Sequence, residues 1–381
     1  MRETVDQTEC LHRIATAHHG QWLYLFPDGG VLYSETQNRF VGFNAAGVSA
    51  YQAFDAGAFK EELRALSTAT APTMELIHAL SCGTFPHAGR EVEWPRLQEP
   101  LTSNLLICDI PALVDFPLGP GEELCRDYFH NCTPASAPAK CHISADCAEN
   151  SWTICINGCA VLSSLQEEQL GLGFLHAARS LLYAESNYDV AFHAAMVADN
   201  TCGLLLCGPR EAGKSTLAAY LAAHGFDLLS DEPVLLDLDS GTVALLDLPV
   251  SLKEGSWDVL RHEWALLNDA PVHVRSDGTK IRLLHPAAKR ETPMRHVTCV
   301  IFPEYRPSCD ARADRLQPLQ VLNFLSDAGM VLAKDLLRNQ FEAFLKMLCV
   351  TPAYSLYYAS LHQAAMMIHG LRKRADWQTT A

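Results

Sequence analysis

The second half of the chain alternates apolar runs with amphipathic segments. AFHAAMVA and GLLLCG predict two strands joined by a hairpin at residues 199–202, and the spacing in STLAAYLAAHG predicts a helix from Lys214 to His224. Gly225 follows where a helix C-cap is expected. FDLLSDEPVLLDLD predicts a buried strand, a turn at Pro233 and a second strand. Strands that alternate with helices predict an α/β domain over about residues 190–371.

The rest of that domain is predicted from shorter patterns. ALLDLPVSL, VHVR, KIRLL and VTCVIFPEY are predicted strands. Residues 316–350 and 355–371 are predicted to be helical.

The first sixty residues have a different pattern. WLYLF and VLYSE flank a turn signal at residues 27–30, and RFVGF predicts a third strand. Asn44 is a good N-cap for a helix in AAGVSAYQAF, and residues 59–66 predict a second amphipathic helix. This order predicts a small α+β, winged-helix-like module over residues 1–85.

A less regular stretch joins these two parts. LLICDI, WTICI and CAVL predict weak strands around a loop at residues 133–140, and a long helix is predicted over roughly residues 165–184. We therefore predict a linking region, residues 86–185, that packs on a domain formed by residues 186–381.

Length and charge restrict the class of protein. A chain of 381 residues should hold two or three domains. The excess of 44 Asp and Glu over 29 Lys and Arg gives a formal net charge of −15. Nucleic-acid and anionic-membrane binding need clustered basic residues, so neither partner is expected. With no signal-peptide core and no long apolar stretch, the expected location is cytoplasmic.

The cysteines leave two interpretations open. Six of the 14 fall between Cys125 and Cys159, with His130 and His142 among them. A metal site is one interpretation, but structural zinc sites usually contain a Cys-x-x-Cys pair, and none occurs here. Scattered buried or surface thiols are the other.

The most specific motif is GPREAGKST at residues 208–216. It matches G-x-x-x-x-G-K-[ST], between a predicted strand and a predicted helix. Glycines let the backbone N–H groups face phosphate oxygens at a helix N-terminus, a lysine reaches the β- and γ-phosphates, and a hydroxyl can bind Mg²⁺. The predicted nucleotide-binding residues are Gly208, Pro209, Arg210, Glu211, Ala212, Gly213, Lys214, Ser215 and Thr216.

Phosphoryl transfer also needs acidic groups near the phosphates. Asp231, with Glu232 beside it, ends the strand that follows the loop's helix, where a carboxylate would lie near the loop. The alternative is that Asp231 only caps the turn before Pro233. His193 lies in the strand that precedes the loop strand, and a histidine among apolar residues is equally compatible with a core position.

The order of these residues resembles that of HPr kinase/phosphorylase and related proteins of peptide-modification gene clusters. The histidine on a strand, the hairpin, the Walker A loop and the acidic pair occur in the same order, and LPVSLKEGS, VIFPEYRP and AYSLYYASLHQA are similar to later family blocks. The resemblance covers roughly residues 185–371 and implies a P-loop kinase domain of the HPr kinase C-terminal/PEP carboxykinase-like type.

The resemblance also implies roles for individual residues. Asp231 would be the catalytic base, His193 would sit against Asp231, and Glu232 would share Mg²⁺ with Ser215 and Asp231. Lys253 would steady the γ-phosphate or the acceptor. Two departures, Asp-Glu in place of Asp-Asp and the missing Glu-x-Arg-Gly-x-Gly segment, argue against HPr itself as substrate and against a phosphorolysis activity.

The first module is similar to small peptide-binding domains of the PqqD type. FVGFNAAGVSAYQAF matches their strand-to-helix block, with Tyr51 where tryptophan is common. The resemblance implies an exposed strand edge that accepts a leader peptide by β-augmentation. The alternative is a domain that only packs on the kinase.

Together these patterns predict an ATP- or GTP-dependent, Mg²⁺-requiring kinase that acts on a hydroxyl. The acceptor would be a Ser or Thr of a peptide or protein, or a small-molecule alcohol. The alternatives are a nucleotide-binding switch and a peptide-binding accessory protein with weak NTPase activity. The sequence leaves open whether the chain forms a homo-oligomer.

Overall fold

A computed structural model of the chain describes residues 11–15, 20–45, 47–48, 51, 101–117, 128–129, 132–246, 248–275, 277–285, 295–332 and 336–373. Over these residues the protein is mixed α/β, with five β-sheets and seven α-helices whose full bounds are described. None of the described helices has the length and apolarity needed to cross a membrane.

The first four strands form an antiparallel sheet in chain order, here called the N-terminal sheet. The predicted hairpin around residues 27–30 is confirmed, because the second and third strands pair across that turn. The third predicted strand, RFVGF, is also confirmed. The four strands are β1 (His12–Ala15), β2 (Gln21–Phe26), β3 (Gly29–Ser34) and β4 (Arg39–Asn44).

A helix begins directly after β4, as predicted. The Asn44 side-chain oxygen accepts a hydrogen bond from the backbone N–H of Gly47 at 2.9 Å, which is the contact an N-cap makes. Ala45, Gly47, Val48 and Tyr51 are helical. The predicted second helix, residues 59–66, lies outside the described residues.

A second sheet of six strands, the middle sheet, has the order β10-β9-β8-β6-β5-β7. The prediction of LLICDI as one strand is wrong, because the chain turns at Cys108, whose φ of 59° is left-handed. CHISADCA, which was not predicted, is a central strand. The strands are β5 (Leu101–Ile107), β6 (Ile110–Phe116), β7 (Thr133–Pro134), β8 (Cys141–Ala148), β9 (Ser151–Ile156) and β10 (Cys159–Leu165).

The predicted long helix is confirmed as α1 (Leu170–Glu185), preceded by one 3₁₀ turn over Glu167–Gln169. Its apolar side packs on the middle sheet, where Phe174 and Leu182 are fully buried. Since burial of such side chains stabilises by about 1.5–3 kcal/mol each, this contact fixes the helix against the sheet.

The six-stranded central sheet carries the patterned half of the chain, in the order β14-β12-β13-β20-β23-β21. β13, β20 and β23 run parallel to one another, and the other pairs are antiparallel. The strands are β12 (Ala194–Ala198), β13 (Gly203–Cys207), β14 (Asp227–Asp231), β20 (Cys299–Tyr305), β21 (Arg312–Arg315) and β23 (Ala353–Tyr358).

Helices cover both faces of the central sheet, which explains why its strands read as continuous apolar runs. Alternate residues of β13 enter two different cores, with Leu204 and Leu206 on one side and Leu205 on the other. One face is covered by α2 (Lys214–Ala223) and α7 (Leu361–Arg372), the other by α5 (Pro318–Asp327) and α6 (Arg338–Val350).

The chain passes twice, at neighbouring positions, between the central sheet and a small sheet. β11 (Val190–Phe192) lies in the small sheet, and only His193 separates it from β12. Glu232 and Pro233 likewise separate β14 from β15 (Val234–Asp237), which pairs with β11. The prediction of AFHAAMVA as one strand is therefore wrong at His193. The small sheet is completed by β16 (Thr242–Val243) and β22 (Val331–Leu332).

The helical prediction for residues 355–371 is wrong at its start. Residues 353–358 form β23, and Tyr354, Leu356 and Tyr358 alternate into one core, which is strand periodicity. Most other predicted strands are confirmed, but among the described residues of ALLDLPVSL only 250–252 belong to a strand. The remaining elements are β17 (Val250–Lys253), α3 (Glu254–Leu260), α4 (Ala265–Asp269), β18 (His273–Val274) and β19 (Lys280–Leu284).

The N-terminal sheet packs on the C-terminal helices α5 and α6. The Tyr33 ring stacks on Phe341 of α6 with centroids 4.0 Å apart, and the Tyr33 hydroxyl donates to the carbonyl of Leu336 at 2.6 Å. Arg13 pairs with Glu342 at 2.7 Å. Residues more than 300 positions apart therefore share one core.

Candidate functional site

The loop of residues 208–213 joins the buried strand β13 to the helix α2. Gly213 is the N-cap residue of α2, with a φ of 87° that favours glycine. A Cβ atom at Gly213 would also lie 2.9 Å from the Tyr358 hydroxyl. Conformation and space both require glycine here. The loop therefore brings its backbone to the positive end of α2.

Lys214, the first residue of α2, is 8% exposed. Its Nζ donates to the carbonyl oxygens of Gly208 at 2.8 Å and Pro209 at 3.0 Å. Burial lowers the pKa of Lys214, against the charges of Glu232 and Asp231. The ammonium group is thus held inside the loop by neutral carbonyls, which a more strongly charged acceptor can replace.

Ser215 and Asp231 meet beneath the loop. The Ser215 hydroxyl donates to Asp231 Oδ1 at 2.9 Å, and Asp231 is 6% exposed at the end of β14. Burial raises the pKa of Asp231 to about 6, although the charges of Arg179 and Lys214 oppose it. A carboxylate with this pKa exchanges a proton readily near neutral pH.

His193 contacts Glu232 and not Asp231. Its Nδ1 lies 3.0 Å from Glu232 Oε1. The expectation that His193 sits against Asp231 is wrong because Ala195 faces Asp231 across the strand pair, so His193 lies beyond it, at the bend. Burial acts to raise the pKa of Glu232, but the hydrogen bond from His193 and the charge of Arg179 outweigh it and lower this pKa to about 2.

Lys253 reaches the loop from the end of β17. Its Nζ lies 3.1 Å from Glu211 Oε1, and the side chains are 39% and 78% exposed. Exposed pairs of this kind contribute about 0–1 kcal/mol, so the contact can open easily. Three residues further along the chain, the Ser256 hydroxyl lies 2.6 Å from that of Thr216 and joins α3 to α2.

One cavity of about 1220 Å³ is lined by these groups. The predicted site residues in its wall are His193, Arg210, Glu211, Gly213, Lys214, Ser215, Thr216, Asp231, Glu232 and Lys253. Ligand sites commonly measure about 300–1,000 Å³, so the volume suits more than one small ligand. The structure therefore brings the sequence-predicted residues to one place, with Gly208, Pro209 and Ala212 in the loop that forms its edge.

A further part of the cavity wall comes from α1, which sequence reasoning did not place at the site. His176, Arg179, Ser180 and Tyr183 line it. Their spacing of i, i+3, i+4 and i+7 puts them on one helix face, and this polar stripe in an otherwise apolar helix is the signal that could have identified them. The linking region thus contributes directly to the cavity.

Arg179 is the charged group of this stripe that acts on both carboxylates. Its charge lowers the pKa of Asp231 and of Glu232. One Nη donates to the Pro249 carbonyl at 3.2 Å, while the buried Nε has no hydrogen-bond partner among the described residues. The guanidinium group therefore keeps a donor available next to the acidic pair.

In the part of the chain that the structure describes, no group of three or more His, Cys, Asp or Glu side chains is arranged to hold a metal ion. This finding covers the described cysteines between Cys132 and Cys159. Cys125 and His130 lie outside the described residues. The Ser215 hydroxyl and the Asp231 carboxylate form a hydrogen-bonded pair of oxygen groups in the cavity wall.

A scan against protein-family models and a search of curated proteins both found no match to this chain. The functional groups of the site itself indicate the chemistry that it can perform. These are a loop of backbone donors at a helix N-terminus, a buried ammonium, a hydroxyl–carboxylate pair and a second carboxylate held by a histidine. This combination suits a polyphosphate next to a group that loses a proton.

Proposed function

We propose that the protein is an ATP- or GTP-dependent kinase that transfers the γ-phosphoryl group to a hydroxyl acceptor, with a P-loop kinase domain like that of the HPr kinase-related proteins. The contact that carries this proposal is the 2.9 Å hydrogen bond between Ser215 and Asp231 beneath the glycine-bracketed loop. This bond joins the Ser215 hydroxyl, which is suited to the phosphate side of the reaction, to the buried Asp231 carboxylate, which is suited to the acceptor side.

The loop and Lys214 would hold the phosphates. Backbone N–H groups at the start of α2 face an anion favourably. The Lys214 ammonium would exchange its bonds to the Gly208 and Pro209 carbonyls for phosphate oxygens, since charge-assisted bonds are about twice as strong as neutral ones. Lys253 would leave Glu211 for the same reason.

The oxygen pair of Ser215 and Asp231 fits Mg²⁺, which prefers hard oxygen ligands and takes only one or two from the protein at nucleotide sites. Glu232, which stays ionised because its pKa is about 2, lies beside them. When bound, the ion would neutralise phosphate charge.

Asp231 would act as the base. With a pKa of about 6 it is mostly ionised at pH 7, and it would take the proton of the acceptor hydroxyl. The bond between the acceptor oxygen and the γ-phosphorus would form as the bond from that phosphorus to the leaving nucleoside diphosphate breaks. The polar stripe of α1 faces this point and would receive the acceptor.

The direct test is the fate of a labelled γ-phosphate. The purified protein is incubated with γ-labelled ATP and Mg²⁺, together with hydroxyl-containing peptides or with small metabolites from an extract. Label in an acid-stable phosphoester of the acceptor supports the kinase. Release of orthophosphate alone contradicts it and supports the nucleotide switch.

Arg179→Met is expected to move the pH profile of transfer. The positive charge of Arg179 lowers the pKa of Asp231, so its loss raises that pKa above about 6. Since the base must be ionised, the acid limb of kcat/KM should shift to higher pH by about one unit. Rates measured from pH 5 to 9 would show this shift.

Arg179→Lys is the matched control because it keeps the charge and should retain most of the wild-type profile. Identical profiles for the Met and Lys variants would contradict the electrostatic role of Arg179. Thermal melts of both variants show whether either substitution disturbs the packing of α1.

A further inference from the structure

Three parallel strands of the central sheet end at the edge where the loop lies. β13 leads into residues 208–213, β20 ends at Tyr305 and β23 ends at Tyr358. β20 is the direct neighbour of β13, and Tyr305 faces Tyr358 in the register of β20 and β23. In α/β sheets, ligands bind at the carboxyl ends of parallel strands. The two tyrosines therefore lie beside the loop.

The two tyrosines differ sharply in exposure. Tyr358 is 2% exposed, and its hydroxyl lies against Gly213. Tyr305 is 56% exposed and lines the cavity, with its ring centroid 6.1 Å from that of Tyr358 and an interplanar angle of 65°. The buried ring supports the exposed ring edge-on, so Tyr305 presents a large apolar surface to the cavity at low cost in side-chain entropy.

The remaining groups around Tyr305 suit an aromatic ligand with a polar edge. Leu361, with an apolar side chain, and Ser360 and His362, with polar atoms, follow Tyr358 closely in the chain and also line the cavity. The charged groups Lys214 and Asp231 line the same cavity, at the start of α2 and at the end of β14. A base is joined to its phosphates by a single ribose, so it must bind close to the phosphate loop.

We propose that the aromatic base of the bound nucleotide stacks on Tyr305, with Tyr358 holding that ring in place. The inference rests on the proposed function only in assuming that the loop binds nucleotide phosphates. It adds a base-binding subsite at the carboxyl ends of β20 and β23. Stacking uses the face of the base, so several bases should be accepted.

The experiment compares two ligands that share the phosphates and differ in the base. The affinities of ATP and of inorganic tripolyphosphate are measured by calorimetry for the wild type and for Tyr305→Ala, Tyr305→Phe and Tyr357→Ala. Tyr357 is on the same strand end as Tyr358 and stacks under Arg306 and Arg312, outside the cavity lining. It is therefore a matched control for loss of a tyrosine at this sheet edge.

Tyr305→Ala is expected to weaken ATP binding by about tenfold and to leave tripolyphosphate binding unchanged, since stacking on one aromatic ring contributes roughly that factor. Tyr305→Phe should retain the wild-type affinity, and Tyr357→Ala should bind both ligands as the wild type does.

An unchanged ATP affinity in Tyr305→Ala, or an equal loss for both ligands, overturns the subsite alone. Failure of the wild-type protein to bind ATP overturns the proposed function and the subsite with it. The two failures are therefore distinguishable.

Discussion

Replacement of Asp231 by Asn is expected to reduce phosphoryl transfer by about 10²–10⁴-fold, the usual contribution of a general base, while the affinity for nucleotide measured without Mg²⁺ stays nearly unchanged. Asn has the same shape, and its side-chain oxygen can still accept the hydrogen bond from Ser215 that Asp231 accepts at 2.9 Å. What is lost is the group that takes the acceptor proton.

The measurement separates binding from turnover. Nucleotide affinity is titrated without Mg²⁺ and without acceptor, and single-turnover transfer is then followed with Mg²⁺ and saturating nucleotide. Asp227→Asn, at the other end of β14, is the matched control because it removes a carboxylate from the same strand away from the cavity lining. Full activity in Asp231→Asn would show that Asp231 is not the base.

The same substitution should stabilise the protein in a defined pH range. Asp231 has a pKa of about 6 in the folded protein against an ordinary value of 3.8, so its ionisation opposes folding. This cost is absent below about pH 4 and fully present above about pH 6, where it amounts to at most about 3 kcal/mol. Asp231→Asn should therefore unfold at higher denaturant concentration than the wild type at pH 8 but not at pH 4.

Lys214→Ala is the second large effect that we expect. It removes the only strongly buried ammonium among the described groups that line the cavity, and the loss of one charge-stabilising donor costs about 10²–10³-fold in rate. Nucleotide affinity should fall as well, because Lys214 would contact the phosphates in the bound state. Calorimetric titration and the transfer assay measure the two effects separately.

The variant Lys253→Ala is the comparison. It shows whether the loss of activity in Lys214→Ala depends on where the lysine lies and not on its charge alone. Lys253 lines the same cavity but is 39% exposed and bonded to Glu211. A screened, mobile charge stabilises phosphate less, so its loss should have a smaller effect. A larger loss in Lys253→Ala than in Lys214→Ala would reverse the roles given to the two lysines.

The elements of the site that follow from local pattern were predictable. The strand, the loop with its two required glycines and the first turn of α2 lie within about fifteen consecutive residues, and their propensities agree with one another. Asp231 was also predictable, since it ends the apolar run that follows α2. Short-range sequence patterns of this kind predict structure well because neighbouring residues are constrained by the same backbone geometry.

Predictions failed where two elements merge in one apolar run. LLICDI contains a turn at Cys108 that lacks Gly, Pro or Asn, and residues 353–358 were joined to the helix α7 that follows them. At His193 one strand ends and the next begins without a Gly or Pro between them, because the chain passes from one sheet to another. Hydrophobic periodicity indicates burial, and each of these segments has buried apolar residues whichever element it forms.

The sequence by itself determined the glycine-bracketed loop, the lysine and hydroxyl that follow it, and the carboxylate at the end of the next strand. Only the tertiary structure decided that His193 pairs with Glu232, that Arg179 of α1 acts on both carboxylates, and that Tyr305 faces the cavity. These contacts join elements far apart in the chain. Their geometry depends on sheet register and helix packing, which short-range hydrophobic patterns do not specify.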